Sequence, residues 1–229
     1  MKLNRFKIII VMILIILLIV FTPIIRKKIT ASQVKNKFLA TIYEINRNGN
    51  FHIIERERTK SPGFESECFL EEFAKDGEIY NISRYSNGSE IIIYAGLTEL
   101  VHMAKSEEQV YGSIFPNFVM PMHNLSADLV GELFTNCKFD NVEKGIYKGK
   151  DCYVIEVSWE KNEYAYDKYK VYVNDETYLP YGAEYYSGDN FFEVEFEMIE
   201  IGTVEEIPMQ YDLEFLKSKS QKQFISNGQ

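Results

Sequence analysis

The residues best suited to metal or nucleophilic chemistry in this chain are three histidines, His52, His102 and His123, and three cysteines, Cys68, Cys137 and Cys152. None stands at metal-ligand spacing to another His, Cys or carboxylate pair, and the cysteines are too few for a disulfide framework, so structural or surface roles are expected for the histidines. One cysteine pair could close in an oxidising compartment, Cys137 and Cys152 being the closest in sequence, although buried small hydrophobes are the commoner reading. The sequence contains no G-x-S-x-G, P-loop, G-x-G-x-x-G or C-x-x-C, which removes the usual support for hydrolase and nucleotide-binding activities. Glu193, Glu195 and Glu197 could offer carboxylates to Ca²⁺ or to a basic partner, but hard cations also draw ligands from loops, and like charges two residues apart are the ordinary solvated face of a strand. The turn pair Asp175-Glu176 reads the same way. Eight tyrosines between Tyr164 and Tyr186 could form a protein- or glycan-binding face, since tyrosine is enriched in interface hot spots, but strands favour tyrosine anyway. No catalytic, cofactor-binding or metal-ligating residue is assigned, and an enzyme is not expected.

The elements that would position such residues are mostly strands. Residues 31–47 carry Val34, Phe38, Leu39, Ile42 and Ile45 at spacings of three and four, which predicts a helix ended by Asn48-Gly49-Asn50. The period then becomes two. Strands are predicted over 51–58, 64–75, 78–85 and 89–95, the third bracketed by the hairpin signals Asp76-Gly77 and Asn87-Gly88, whose central residues are expected at positive φ. Residues 97–111 read as a short strand and turn, and 112–121 as a loop. A helix capped by Ser126 is expected to run through Cys137, with Leu129, Val130, Leu133 and Phe134 on its apolar face. The last third alternates through 152–159, 168–174 and 191–201, as an antiparallel sheet with one wet face demands.

The N-terminus differs in kind. Ile8 to Ile25 is apolar or neutral over 18 residues, roughly 27 Å as a helix, close to hydrocarbon thickness. A basic n-region (Lys2, Arg5, Lys7) also suits a cleaved signal peptide, but no small-x-small site follows the run and Arg26-Lys27-Lys28 occupies the cleavage region. An uncleaved membrane anchor over residues 1–28 is expected, then one domain over 29–216 and a frayed polar tail over 217–229. The flanking basic residues balance, so orientation is set by translocation of the large domain, expected outside the cytoplasm. All six anchor-region cations removed, 19 basic against 34 acidic side chains remain, a formal net of −15. Such acidity opposes nucleic-acid binding, which needs basic surface to displace counterions.

The order of helix, long meander, helical interruption and strands ending in Lys170-Val171-Tyr172-Val173-Asn174-Asp175-Glu176-Thr177-Tyr178-Leu179-Pro180 resembles the LolA-like lipoprotein-carrier superfamily. Members commonly carry x-Val-Asp-x-x-Thr-x-Leu-Pro at a strand end, here Tyr172-Val173-Asn174 running into Thr177 to Pro180, with Gly149 to Tyr153 as the glycine turn upstream. The composition, rich in Lys, Asn, Ile and Tyr, is similar to the clostridial branch that includes GerS-type germination lipoproteins. The resemblance implies an α+β, mainly antiparallel fold: a strongly curved incomplete β-barrel with helices across its open side. It further implies an apolar inner face that takes acyl chains or a cell-envelope partner, without a cofactor. The candidate face is Tyr153, Ile155, Val157, Trp159, Val171, Val194, Phe196 and Met198. Two departures stand out: the chain has no N-terminal lipid-bearing cysteine, and no residue matches the carriers' lid-locking arginine.

Overall fold

Alternation of apolar and polar side chains drives most of this chain into strands; one helix covers the apolar cluster on one face of the sheet, and residues 207–216 cover a second cluster on the other. The computed structural model describes residues 30–45, 47–106, 109–116, 137–159 and 168–222. In chain order it has α1 (30–45), β1 (Phe51–Ser61), β2 (Phe64–Lys75), β3 (Glu78–Tyr85), β4 (Glu90–Ala95), β5 (Glu99–Lys105) and β6 (Val110–Pro116). There follow β7 (Cys137–Tyr147), β8 (Lys150–Trp159), β9 (Lys168–Asn174), β10 (Pro180–Ser187), β11 (Asn190–Ile201), α2 (Leu213–Ser218) and β12 (Ser220–Lys222). All twelve strands form one open, curved sheet in the order β12-β6-β5-β4-β3-β2-β1-β11-β10-β9-β8-β7. Every pair is antiparallel except β12 with β6. Two meanders, β1 to β6 and β7 to β11, therefore meet at β1–β11; in sequence, residues 117–136 separate β6, which lies next to the edge strand β12, from β7 at the other edge.

The turns follow their residues. Asp76 (φ 52°) and Gly77 (φ 84°) both take the left-handed conformation that a two-residue hairpin needs to match strand twist. At Asn87-Gly88 only the glycine does so (φ 81°); Asn87 instead accepts from the Ser89 amide at 3.0 Å, stabilising a longer loop. In the Asn174–Pro180 turn, Asn174 Oδ1 accepts from the amides of Glu176 and Thr177 at 2.8 Å, and Tyr178 sits at φ 62°. The motif on which the family resemblance rests is thus a hydrogen-bonded Asx turn.

Several expectations are corrected. The short strand and turn expected over 97–111 correspond to β5 (99–105) and the turn after it, but 112–116, expected as loop, belong to β6 (110–116), and Ile114 is buried; residues 117–121 lie outside the described residues. The helix proposed from Ser126 lies outside the described residues, but its last residue, Cys137, opens β7. That strand escaped notice because an edge strand rich in Lys, Asp, Asn and Glu lacks clean alternation. Residues 217–222 are not a frayed tail. Lys217 pairs with Glu99, and Ser220 to Lys222 run parallel to β6. Gly112 permits this approach, since a Cβ there would run into Ser220 Oγ and come within 2.8 Å of the His102 carbonyl. The Cys137–Cys152 pairing is excluded by register. Cys137 lies opposite Trp159 and Cys152 opposite Gly145, so the two are about 23 Å apart along the strand, far beyond disulfide reach. Neither described helix is long and apolar enough to cross a membrane; residues 1–28, expected to do so, lie outside the described residues.

Candidate functional site

The inner face, the side of the sheet under α1, is built by period-two selection from both meanders. On β7 to β11 it presents Val142, Ile155, Val157, Tyr169, Val171, Val173, Ala183, Tyr185, Val194 and Phe196, all buried in one cluster with Val34, Phe38, Ile42 and Ile45 of α1. The helix places these four at spacings of four, four and three, so they share one stripe. Its opposite side, including Tyr43 and Glu44, is exposed. Phe38 is fully buried and its ring lies 6.5 Å from that of Phe139. From outside, Lys37 Nζ donates to the Tyr178 hydroxyl at 3.1 Å and lies 4.6 Å from that ring centroid. Beneath α1, the hydroxyls of Tyr169 and Tyr185 are hydrogen-bonded at 2.6 Å, satisfying two phenols that would otherwise be costly to bury.

Of the predicted face, Ile155, Val157, Val171, Val194 and Phe196 lie together in this cluster, with Tyr153 half-buried against it. The backbone of Trp159 ends β8. Met198 is elsewhere. A β-bulge shifts the β1–β11 register, so that Glu55 faces Phe196 while Ile54 faces Met198. The extra residue, Glu197, breaks the alternation: Met198 turns to the outer face, and Ile199 takes the inner position opposite Ile53.

Where β1 to β3 continue the inner face, a polar strip interrupts it. Phe51 and Ile53 start an alternation that continues with Glu55 and Glu57, and the register sets Glu72 and Asn81 beside Ile53, and Cys68 and Tyr85 beside Glu57. Glu55, Glu72 and Asn81 are buried, and Asn81 donates to Glu72 at 3.0 Å while Ser83 donates to Asn81 at 3.3 Å. Burial raises Glu57 above the usual carboxylate range and pushes the Cys68 thiol up to about 11, which makes it a poor nucleophile. The sequence reading missed this compartment, whose signal was the parity of Glu55 and Glu57 with Phe51 and Ile53.

The outer face disposes of the remaining candidates. Glu193, Glu195 and Glu197 are internally neutralised: Glu193 contacts Lys148 at 2.8 Å, Arg58 at 3.3 Å and the Tyr147 hydroxyl at 2.9 Å, Lys148 also pairs with Glu195, and Arg56 with Glu197 at 2.5 Å. Burial alone would raise Glu193, but hydrogen bonds from Lys148 and Tyr147, and the charge of Arg58, hold it below its ordinary value. Among the described residues no group of three His, Cys, Asp or Glu is arranged to hold a metal. The tyrosine run is divided between the faces rather than displayed on one. Tyr169 and Tyr185 lie inside, Tyr172 stacks on Tyr147 at 4.2 Å outside, and none of the described members is exposed. His52 stacks on Phe73 at 4.0 Å and meets Glu71 at 3.0 Å; burial lowers His102; His123 lies outside the described residues.

The geometry defines an open, curved, mainly antiparallel sheet with one amphipathic helix laid along the apolar cluster of its inner face and residues 207–216 over a second cluster on its outer face. A family model described as "-like: Uncharacterized protein" matches residues 122–225, just under half of the chain. No curated protein matches the sequence. Among solved structures, an uncharacterized conserved protein from Thermus thermophilus is similar at TM-score 0.49 and 7% identity, over 82% of this chain and 98% of that one. A LolA superfamily protein from Nitrosomonas europaea is similar at TM-score 0.31 and 13% identity, over 74% and 94%. MucB, in the Pseudomonas aeruginosa MucA/MucB complex, is similar at TM-score 0.46 and 11% identity, over 78% of this chain but 59% of the other. Likeness at this level is one of general form.

Proposed function

We propose that this protein is a non-enzymatic, membrane-tethered binding domain outside the cytoplasm whose inner face takes an acyl chain by exchanging it for α1. The observation that carries the proposal is the continuous apolar face of β1 and β7 to β11, closed by the side chains of a single helix. The energies are commensurate. Burying Val34, Phe38, Ile42 and Ile45 is worth about 6–12 kcal/mol as an upper estimate, and an acyl chain of about fifteen methylenes gains about 12 kcal/mol at ~0.8 per methylene. A lipid can therefore compete with the helix for the same surface. The LolA-like sequence motif supports the same reading, and its clostridial flavour suits a ligand or partner in the envelope of a sporulating or germinating cell.

Hydrogen exchange on the full chain, with and without oleic acid, tests the exchange of helix for lipid. Residues 30–45 lose protection on ligand addition while β8 and β9 keep theirs. Unchanged protection at saturating oleic acid contradicts it. A second reading is favoured by the completeness of α1's packing, in which Phe38 and Ile155 are both 0% exposed. There the inner face is a permanent core, and the domain acts as an accessory factor that positions a cell-wall enzyme. In-cell cross-linking then recovers one dominant envelope protein with no lipid bound.

A further inference from the structure

After β11 the chain crosses the outer face as a strap, residues 202–211, before entering α2. Asn50 fixes its start: the side-chain amide donates to the Val204 carbonyl at 2.9 Å, its oxygen accepts from the Val204 amide at 3.0 Å, and the Asn50 carbonyl accepts from the Gly202 amide at 2.8 Å. Farther along, the Tyr211 amide donates to the Tyr80 hydroxyl at 3.3 Å and Arg84 donates to Gln210 at 2.6 Å. Between these fixed points the strap leaves a groove of about 340 Å³. Its floor is the stacked pair His52 and Phe73, its apolar wall is Val204, and its rim is Glu200, Glu205 and Glu206.

We infer that this groove binds an arginine side chain presented by a basic segment of a partner protein. The inference is independent of the inner-face proposal. Three carboxylates surround an aromatic floor, and none of the three is in an ion pair among the described residues, unlike Glu193, Glu195 and Glu197 on the same face. Lys75 donates to the Glu205 backbone carbonyl and forms no ion pair with the three carboxylates among the described residues. A guanidinium matches both parts: its plane lies along an aromatic surface while its fork of donors reaches carboxylates in pairs. The groove is open to solvent along the strap, which suits a side chain delivered on a polypeptide. The Asn50 clamp holds the wall in place before binding, so little ordering entropy is lost. The domain's net −15 attracts a basic partner at range and speeds encounter.

The test uses the full chain in non-ionic detergent and a capped peptide, Ala-Arg-Ala-Arg-Ala, carrying an uncharged dye, read by fluorescence anisotropy. Saturable binding is expected, with at least tenfold loss in Glu205→Gln/Glu206→Gln and no binding of the citrulline peptide. Both glutamates are exposed, so the variant folds, and an unchanged Tm verifies it. The control Glu176→Gln/Glu214→Gln removes the same charge elsewhere and leaves affinity within twofold. Equal loss in the control, binding of the citrulline peptide, or no saturable binding to the unaltered chain overturns the inference.

Discussion

Replacing Phe38 by Ala tests how α1 is held and what it competes with. The ring is fully buried between α1 and the inner face, so its loss removes the transfer energy of the side chain and leaves a void, about 3–5 kcal/mol by analogy with other buried phenylalanines. If α1 undocks separately from the sheet, that cost falls on the closed state alone. Removing about 3 kcal/mol from the helix's hold then favours an entering acyl chain by a hundredfold or more, since each 1.4 kcal/mol is a factor of ten. The assay is titration of the full chain with a fluorescent fatty acid, alongside urea unfolding followed by the fluorescence of the sole tryptophan, Trp159. Phe38→Ala should bind at least a hundredfold more tightly than the unaltered chain while its sheet still unfolds cooperatively. Two results refute the reasoning: a variant that folds but gains no affinity, or a fall of 3–5 kcal/mol in global stability with no binding by either protein.

Ile155→Asp places a carboxylate in a fully buried apolar site and should cost several kcal/mol, leaving little folded protein by circular dichroism. Glu193 has its folded pKa depressed, so its contribution is present above the unfolded carboxylate value and is lost as pH falls through the folded one. Glu193→Gln should therefore destabilise by about 1–3 kcal/mol at pH 7 and much less at acid pH, as thermal unfolding across pH would measure. Glu57 has the opposite sign. Burial raises its folded pKa, so stability falls as pH rises through that value, and Glu57→Gln should raise Tm at pH 8 but hardly at pH 4. At Gly182 an added Cβ would sit 2.5 Å from the Val194 carbonyl, so Gly182→Ala should lower stability by about 1–3 kcal/mol in urea unfolding.

Where the chain obeys a single period, the sequence was sufficient: α1 and β1 to β4 and β8, β9 and β11 follow from spacing and turn residues. It failed where a second constraint intervened. Met198 follows Val194 and Phe196 in strict alternation, and only the partner strand reveals the bulge that turns it outward. β7 pairs on one side alone, so its sequence need not alternate. Lys217 to Ser220 bury little, yet main-chain pairing of Ser220 to Lys222 with β6 and the space left by Gly112 hold the segment. The acidic inner compartment was legible as parity in Phe51-His52-Ile53-Ile54-Glu55-Arg56-Glu57, but buried glutamates run against expectation unless hydrogen-bonding partners such as Asn81 are supplied from a neighbouring strand.

Native mass spectrometry of the full chain purified from its own membrane decides whether the inner face accepts an acyl chain. A resolved adduct of one acyl-bearing lipid per chain, shed when the protein is unfolded, is expected. A single lipid-free species, from a preparation whose α1 and sheet are intact by hydrogen exchange, would contradict it.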